Sequence, residues 1–263
     1  MNGSELINGG KMDELISLLT PTRGRPTEFQ RMVISAYDTA VEPEKVEVVI
    51  YVDDDDKFLS DYKEATSRLS NVILLVGPRT IMTDYWNICF RSAKGDILCQ
   101  NNDDVIFRTK GWDKMVRDAF ASQPDKILMV HGSDASFHLD RFGPHPFVHR
   151  KWIETVGYFI PPYFSSDFGD AWINEVASHL KRRKYIPFIM EHMHYQFNKA
   201  QIDQTTRDRL ERHDKDRPEQ IWGQKGNERM ENVRKLGAVM VPPHEPRRLP
   251  PPSNQGFKPK HLG

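Results

Sequence analysis

Four short apolar runs, each followed by polar residues, constrain the fold of this chain more than any other feature. The first three cover residues 15–19, 46–52 and 72–76, and the fourth opens the stretch 95–107. Between the first two runs, apolar residues recur at helical spacing over 29–37. A strand, a helix and a second strand in this order imply a right-handed crossover and a parallel sheet. The pattern therefore predicts an α/β fold with a mostly parallel central sheet.

The fourth apolar run ends in an acidic tip, Asn102-Asp103-Asp104. Ligands of open α/β sheets bind just beyond the carboxyl ends of the strands, so these side chains stand where a ligand is expected. Carboxylate oxygens suit Mg²⁺ or Mn²⁺, and such an ion commonly holds a diphosphate. An Asn- and Asp-rich turn that caps its own backbone would have the same composition. The other strand ends must decide between the two interpretations.

The first three runs also end in polar residues. Residues 20–25 follow the first run and contain two arginines, four aspartates at 53–56 follow the second, and Arg79 follows the third. Adjacent carboxylates are ordinarily a solvated loop, but at a strand end they can also accept hydrogen bonds from a base or a ribose. Arg79 would stand on the same rim, available to a phosphate or a pyrimidine ring.

Composition narrows the class of protein. A chain of 263 residues with 38% hydrophobic side chains can bury a core in one large domain or two small ones. The 37 basic and 37 acidic residues balance, yet 14 basic and 9 acidic residues fall in 199–263, which indicates either a solvated helical face or an anionic partner. The two cysteines, with Cys99 in a predicted strand, favour a reducing compartment. No signal peptide and no apolar run near the roughly 20 residues of a membrane span are present, so we expect a cytoplasmic protein with no membrane partner.

Several segments in a fixed order carry a resemblance to a known family. They are Thr20-Pro21-Thr22-Arg23, Asp53-Asp54, Arg79 before a helix with Asn87, and Lys94-Gly95-Asp96-Ile97-Leu98 leading to Asn102-Asp103-Asp104. Together they resemble the inverting, family-2-like GT-A nucleotide-sugar glycosyltransferases. The resemblance covers residues 15–203. It implies a single GT-A-like (Rossmann-like) domain that takes a nucleotide diphosphate sugar, expected to be a UDP-sugar.

The resemblance also assigns roles to residues. It implies that Asp53 or Asp54 reads the nucleobase, that Asp103 and Asp104 bind the metal and the donor sugar, and that the metal is Mn²⁺ or Mg²⁺. The first position of the acidic triplet is Asn102, where the family usually has Asp, so the ion would depend on Asp104 and a later ligand. The remaining residues expected to contact the donor are Thr20, Thr22, Arg23, Arg79 and Asn102.

Two acidic residues near 163–173 are candidates for catalysis. Asp170 opens a predicted helix, where an N-cap is its structural interpretation. The resemblance implies instead a general base that takes a proton from the acceptor hydroxyl, and we favour Asp170 over Asp167. Further on, His192 and His194 fall on one side of an extended segment. Because the resembling family often returns a C-terminal His to the ion, we choose His194 as the metal ligand.

The predicted organisation is a glycosyltransferase domain over 12–198, a helical extension packed on it over 199–240, and a Pro-rich basic tail over 241–263. The predicted function is metal-dependent, inverting transfer of a sugar to a hydroxyl on a carbohydrate or small molecule, with a modified nucleic-acid base as a further acceptor. Two rivals remain open at this point. One is a nucleotidyltransferase, and the other is a non-catalytic module that binds sugar nucleotides or nucleic acid.

Overall fold

The computed structural model of the chain describes residues 14–136 and 138–241. This part of the sequence contains eight strands and nine α-helices. The strands are β1 (Ile16–Thr22), β2 (Val46–Asp53), β3 (Val72–Gly77), β4 (Ile97–Gln100), β5 (Val105–Phe107), β6 (Met129–Ser133), β7 (Phe147–His149) and β8 (Arg183–His192). The helices are α1 (Pro26–Thr39), α2 (Leu59–Ser67), α3 (Met82–Ser92), α4 (Trp112–Ala121), α5 (Arg150–Val156), α6 (Gly169–His179), α7 (Gln204–Asp216), α8 (Pro218–Gln224) and α9 (Gly226–Val239).

The strands form one eight-stranded sheet in the order β3-β2-β1-β4-β7-β6-β8-β5. The pairs β3–β2, β2–β1, β1–β4 and β6–β8 are parallel, whereas β4–β7, β7–β6 and β8–β5 are antiparallel. The parallel half corresponds to the four apolar runs. The predicted α/β fold with a mostly parallel sheet is confirmed.

Helices cover both faces of the sheet, which is why its central strands are buried at successive positions rather than at alternate ones. Successive residues point to opposite faces. Leu18 packs into a core with α1 and α4, and its neighbour Leu19 packs into a second core with α3, α5 and α6. The ends of β1, β2 and β4 are thereby fixed between two packed layers.

Strand β7 was not expected. The sequence around 143–150 predicts an irregular stretch, but Phe147–His149 pairs antiparallel with both β4 and β6. The prediction was wrong because three residues after Gly143-Pro144-His145-Pro146 are too few to show strand periodicity, and the pairing partners are distant in sequence.

The C-terminal helices lie on this sheet domain. Helix α9 packs against α5 and α6 through Val233 and Leu236, which belong to the second core. The division of the chain at residue 198 stays a prediction. Of the predicted basic tail, only Val241 lies within the described residues. Across the described ranges, every helix is too short or too polar to cross a membrane.

Candidate functional site

The ends of the parallel strands border a cleft of about 360 Å³. Two walls face each other across it. The first, here called the core wall, consists of residues 21–25, 53, 100–104 and 166–170, which continue directly from strands or helices packed into the cores. The second, here called the helix wall, is the segment 203–213, which is Asp203 and most of α7; its residues Thr205, Thr206, Arg209 and Arg212 line the cleft.

The acidic tip lies on the core wall beside a single guanidinium. Thr22 Oγ1 donates a hydrogen bond to Asp103 Oδ2 over 2.7 Å. Arg25 Nη1 lies 3.3 Å from Asp103 Oδ1 and 3.8 Å from Asp104 Oδ2. Burial, together with the adjacent Asp104 charge, raises the pKa of Asp103 to about 6 despite the opposing effect of Arg25. Asp103 therefore has too little positive charge around it, a condition that a bound cation would relieve.

Asp104 and His192 form an incompletely satisfied pair. Asp104 Oδ1 lies at an ion-pair distance of 3.2 Å from His192 Nε2, and neither atom has any further hydrogen-bond partner among the described residues. Burial opposes ionisation of Asp104, but His192 and Arg25 hold its pKa below the ordinary value. Two ligands on adjacent corners of an octahedron with bonds of about 2.1 Å stand about 3 Å apart, so these two atoms fit a shared Mg²⁺ or Mn²⁺ ion.

The other histidine of this segment is placed differently. His194 Nδ1 accepts a hydrogen bond from the backbone N–H of Gln196 over 3.4 Å, and its ring centroid lies 4.9 Å from that of His192. Burial and the neighbouring His192 lower the pKa of His194 to about 4, which keeps the ring neutral. Within the described ranges no cluster of three or more His, Cys, Asp or Glu side chains is arranged to hold an ion. An ion here would therefore need oxygen atoms of a substrate to complete its coordination.

The end of β2 contributes Asp53 to the cleft. Asp53 Oδ1 accepts a hydrogen bond from Tyr85 Oη over 2.7 Å, and Asp53 Oδ2 accepts one from Arg23 Nη1 over 2.8 Å. The rings of Tyr51 and Tyr85 lie 5.1 Å apart beside it. Asp54 is exposed and does not line the cleft. Of the two predicted base-reading residues, the geometry brings only Asp53 to the site.

Most of the other residues predicted to contact the donor meet at the cleft. Arg23, Arg79, Asn102 and Thr22 line it. Thr20 does not, because it is fully buried and its Oγ1 accepts a hydrogen bond from Asn101 Nδ2 over 2.9 Å. It belongs to the support beneath the core wall.

Asp170 lies at the start of α6 and faces the same cleft. Burial, with a smaller contribution from the Asp167 charge, raises its pKa to about 6. The structural interpretation as an N-cap was wrong. The N-cap is Phe168 at φ 73°, and Asp170 Oδ1 accepts a hydrogen bond from the backbone N–H of Ala171, at 2.8 Å.

Asp167, the alternative catalytic residue, is tied to the helix wall. Its Oδ1 accepts from Arg209 Nη1, and its Oδ2 lies 2.7 Å from His213 Nδ1. Burial alone would raise the pKa of Asp167, but His213 and Arg209 lower it below the ordinary value. Asp167 is therefore an ion-pair partner with low basicity, whereas Asp170 has a raised pKa and makes no ion pair with an Arg or Lys side chain of the described residues.

Sequence reasoning missed three residues of the site. Arg25 was seen only as a second guanidinium in the loop, His192 was passed over for His194, and Arg209 was read as part of an ordinary charged helix. The spacing of Arg25 from the strand end could have indicated its position. Nothing in the sequence around Arg209 distinguishes it from its charged neighbours.

Comparison with known proteins finds similar folds among solved structures. No family model and no curated protein matches the chain. Among solved structures, the mannosyltransferase PcManGT from Pyrobaculum calidifontis, in complex with GDP-Man and Mn²⁺, has 11% sequence identity and a TM-score of 0.57 over 87% of this chain and 74% of that one. S. aureus TarS 1-349 in complex with UDP has 12% identity and a TM-score of 0.53 over 86% and 83%. The same protein in complex with UDP-GlcNAc has 13% identity and a TM-score of 0.52 over 72% and 62%.

The chain thus has the fold of GT-A glycosyltransferases. The resemblance drawn from the strand ends is confirmed at the level of the fold. At these identities the likeness does not extend to substrates, and the chemistry must be argued from the residues of the cleft.

Proposed function

We propose that the protein is a glycosyltransferase that moves a sugar from a nucleoside diphosphate donor to a hydroxyl acceptor. One observation carries this proposal. The same cleft contains the Asp104–His192 pair, which is suited to a divalent cation, and a carboxylate at Asp170 whose pKa is raised to about 6. A metal–diphosphate site and a general base are the two parts that sugar transfer needs.

The donor would lie along the core wall. Asp53 and the Tyr51–Tyr85 ring pair would receive the nucleobase, because a carboxylate can accept from a base N–H and an aromatic face can stack on it. Arg23, Arg25 and Arg79 all reach this side of the cleft and can pair with phosphate oxygens. We assign a UDP-sugar as the donor.

The metal would be held by Asp104 and His192, with Asp103 and Asn102 beside it and His194 adjacent. When bound, Mg²⁺ or Mn²⁺ would neutralise charge on the leaving diphosphate. Asp103 is held by Thr22 and Arg25, so its carboxylate is oriented towards the same region. The predicted choice of His194 as a ligand is retained as a proposal, with His192 as the better placed ring.

Asp170 is the proposed base. Its carboxylate would take the proton from the acceptor hydroxyl while that oxygen attacks the anomeric carbon of the donor sugar. The bond from that carbon to the diphosphate oxygen breaks on the opposite side, and the diphosphate leaves with the bonding electrons. Attack from the face opposite the leaving group inverts the anomeric configuration. Asp167 would serve to hold the helix wall and not to accept the proton.

The acceptor side of the cleft is lined by the rings of His138, Phe142, Phe168 and Phe197. Such rings pack well against the apolar face of a sugar or another small ring compound. We therefore place a carbohydrate or small-molecule acceptor here. A modified nucleic-acid base stays a less favoured proposal, because basic residues of the helical extension are paired within the protein, as Arg209 is with Asp167, Arg229 with Glu175 and Arg234 with Glu231.

Incubation with a panel of UDP- and GDP-sugars, with and without Mn²⁺, followed by mass spectrometry of the nucleotide products, tests this function. Release of the nucleoside diphosphate is expected, with the Asp170→Asn protein as the matched inactive control. Release of inorganic pyrophosphate from a nucleoside triphosphate and a sugar phosphate would support the nucleotidyltransferase instead. Tight binding without any turnover would support the non-catalytic module.

A further inference from the structure

The helix wall is attached to the rest of the protein almost entirely by polar contacts. Thr206 is the only buried residue of α7. Thr205 Oγ1 donates to the backbone carbonyl of Arg23 over 2.8 Å, and Arg209 and His213 pair with Asp167. Because α7 buries so little apolar surface, it is held in place mainly by ion pairs and hydrogen bonds. It can therefore shift at small cost in free energy.

Two carboxylates of this wall lie on arginines of the cleft. Asp203 takes a bidentate contact from Arg25, with Nε–Oδ2 at 2.6 Å and Nη2–Oδ1 at 2.8 Å. Asp208 Oδ2 accepts from Arg79 Nη2 over 2.5 Å. A carboxylate bound to a guanidinium fork uses the same donors that a phosphate would use.

A third arginine remains without such an anion. Arg212 also lines the cleft, and its buried Nε makes no hydrogen bond in the described chain. Burial and the nearby Arg79 lower its pKa. A dianionic group arriving between Arg79 and Arg212 would give the unpaired guanidinium a partner, which Asp208 does not.

We propose that Asp203 and Asp208 act as internal anions that occupy Arg25 and Arg79 until the diphosphate of a donor replaces them. This proposal rests on the proposed function, since it needs a donor with a diphosphate. Binding then exchanges carboxylate–guanidinium pairs for phosphate–guanidinium pairs and recruits Arg212. The two aspartates lower the affinity for the donor and make occupancy of the cleft depend on the position of α7.

Substitution by Asn tests the exchange without removing the shape of the side chain. The Asp203→Asn substitution keeps the helix N-cap, because Asp203 Oδ1 accepts from the backbone N–H of Thr206 and an amide oxygen can do the same. The matched control is Asp214→Asn, which removes one negative charge from an exposed position of the same helix. Calorimetric titration of wild type and variants with UDP and with GDP, in the presence of Mn²⁺, gives the dissociation constants.

We expect Asp208→Asn to tighten nucleoside diphosphate binding by about 2–5-fold, the range that partly exposed ion pairs permit. Asp203→Asn should act in the same direction, and Asp214→Asn should leave the affinity unchanged. In an Arg79→Gln background, which has lost one partner, Asp208→Asn should have no effect, as a double-mutant cycle requires.

The outcomes separate the two levels of the proposal. If wild type binds a nucleoside diphosphate and Asp208→Asn binds it with equal or weaker affinity, the internal-anion role is overturned and the proposed function stands. The same holds if Asp214→Asn tightens binding as much as Asp208→Asn, since the effect would then be one of overall charge. Failure of wild type and every variant to bind either nucleotide overturns both the proposed function and the exchange.

Discussion

The two walls of the cleft differ in what holds them. The core wall continues from β1, β2, β4 and α6, whose side chains fill two apolar cores. The helix wall is a helix with one buried residue, held by Asp203, Asp208, Arg209 and His213. Charge screening does not weaken apolar burial, whereas exposed ion pairs weaken as salt rises. The proposed reacting groups therefore lie on the rigid core wall, whereas the helix wall is held by ion pairs that can rearrange.

The largest effect is expected from the core wall. Asp170→Asn should lower transfer by about 10²–10⁴-fold, the usual range for loss of a general base, and leave donor affinity nearly unchanged. Asp167→Asn should lower transfer much less, because it removes only an anchor of α7. Steady-state rates and donor titrations of both variants measure this. If Asp167→Asn abolished transfer and Asp170→Asn retained it, the two roles would have to be exchanged.

The metal ligands should give the next largest effect. Asp104→Ala should remove the Mn²⁺-dependent part of nucleotide affinity, a loss larger than the about 10–100-fold typical of outer-shell partners. His192→Ala should weaken Mn²⁺-dependent binding of UDP more than His194→Ala. His192 Nε2 lies 3.2 Å from Asp104 Oδ1, whereas His194 Nδ1 already accepts a hydrogen bond from the backbone N–H of Gln196. Titration with UDP at several Mn²⁺ concentrations distinguishes the two histidines. A larger loss in His194→Ala would restore the choice made from sequence.

The pH dependence of the transfer rate should be a smaller effect than loss of a metal ligand. Asp170 must be deprotonated to accept a proton, and its pKa is raised to about 6. The rate should therefore be level above pH 6 and fall about tenfold for each pH unit below it. An unperturbed aspartate would hold its rate down to about pH 4. A profile that stays flat down to that pH would remove Asp170 as the base.

Salt should give the smallest effect and should separate the walls directly. Raising the ionic strength to about 1 M shortens the screening length to about 3 Å and weakens the pairs that hold α7. Amide hydrogen exchange in α7 should speed up, whereas exchange in α1, which is buried against the sheet, should not change. Equal responses in the two helices would show that the walls are held alike.

The core wall was largely predictable from sequence, and the reason is physical. Apolar runs of five to seven residues that end in polar groups specify buried parallel strands and their exposed ends, so Asp53, Asp103 and Asp104 could be placed at one rim. Thr20 was misjudged because strand β1 extends to Thr22, three residues beyond its apolar run. The end of a strand cannot be fixed to one residue from hydrophobicity alone.

The helix wall was not predictable in the same way. Arg207-Asp208-Arg209-Leu210-Glu211-Arg212 has the alternating charges of a solvated helix, and nothing local distinguishes the residues that reach the cleft. Their partners, Arg79 and Asp167, are far away in the sequence. Such contacts depend on tertiary geometry and not on periodicity, so they require the structure.

The stereochemistry of donor hydrolysis tests the central claim most directly, because water can replace the unidentified acceptor. Proton NMR would follow the hydrolysis of UDP-α-glucose, or of whichever α-linked donor turns over. It would show which anomer of the free sugar forms first, before the two anomers equilibrate. Attack opposite the diphosphate with Asp170 as base predicts the β anomer first, and a much slower release in Asp170→Asn. Release of the α anomer first, or release that does not depend on Asp170, would contradict the account.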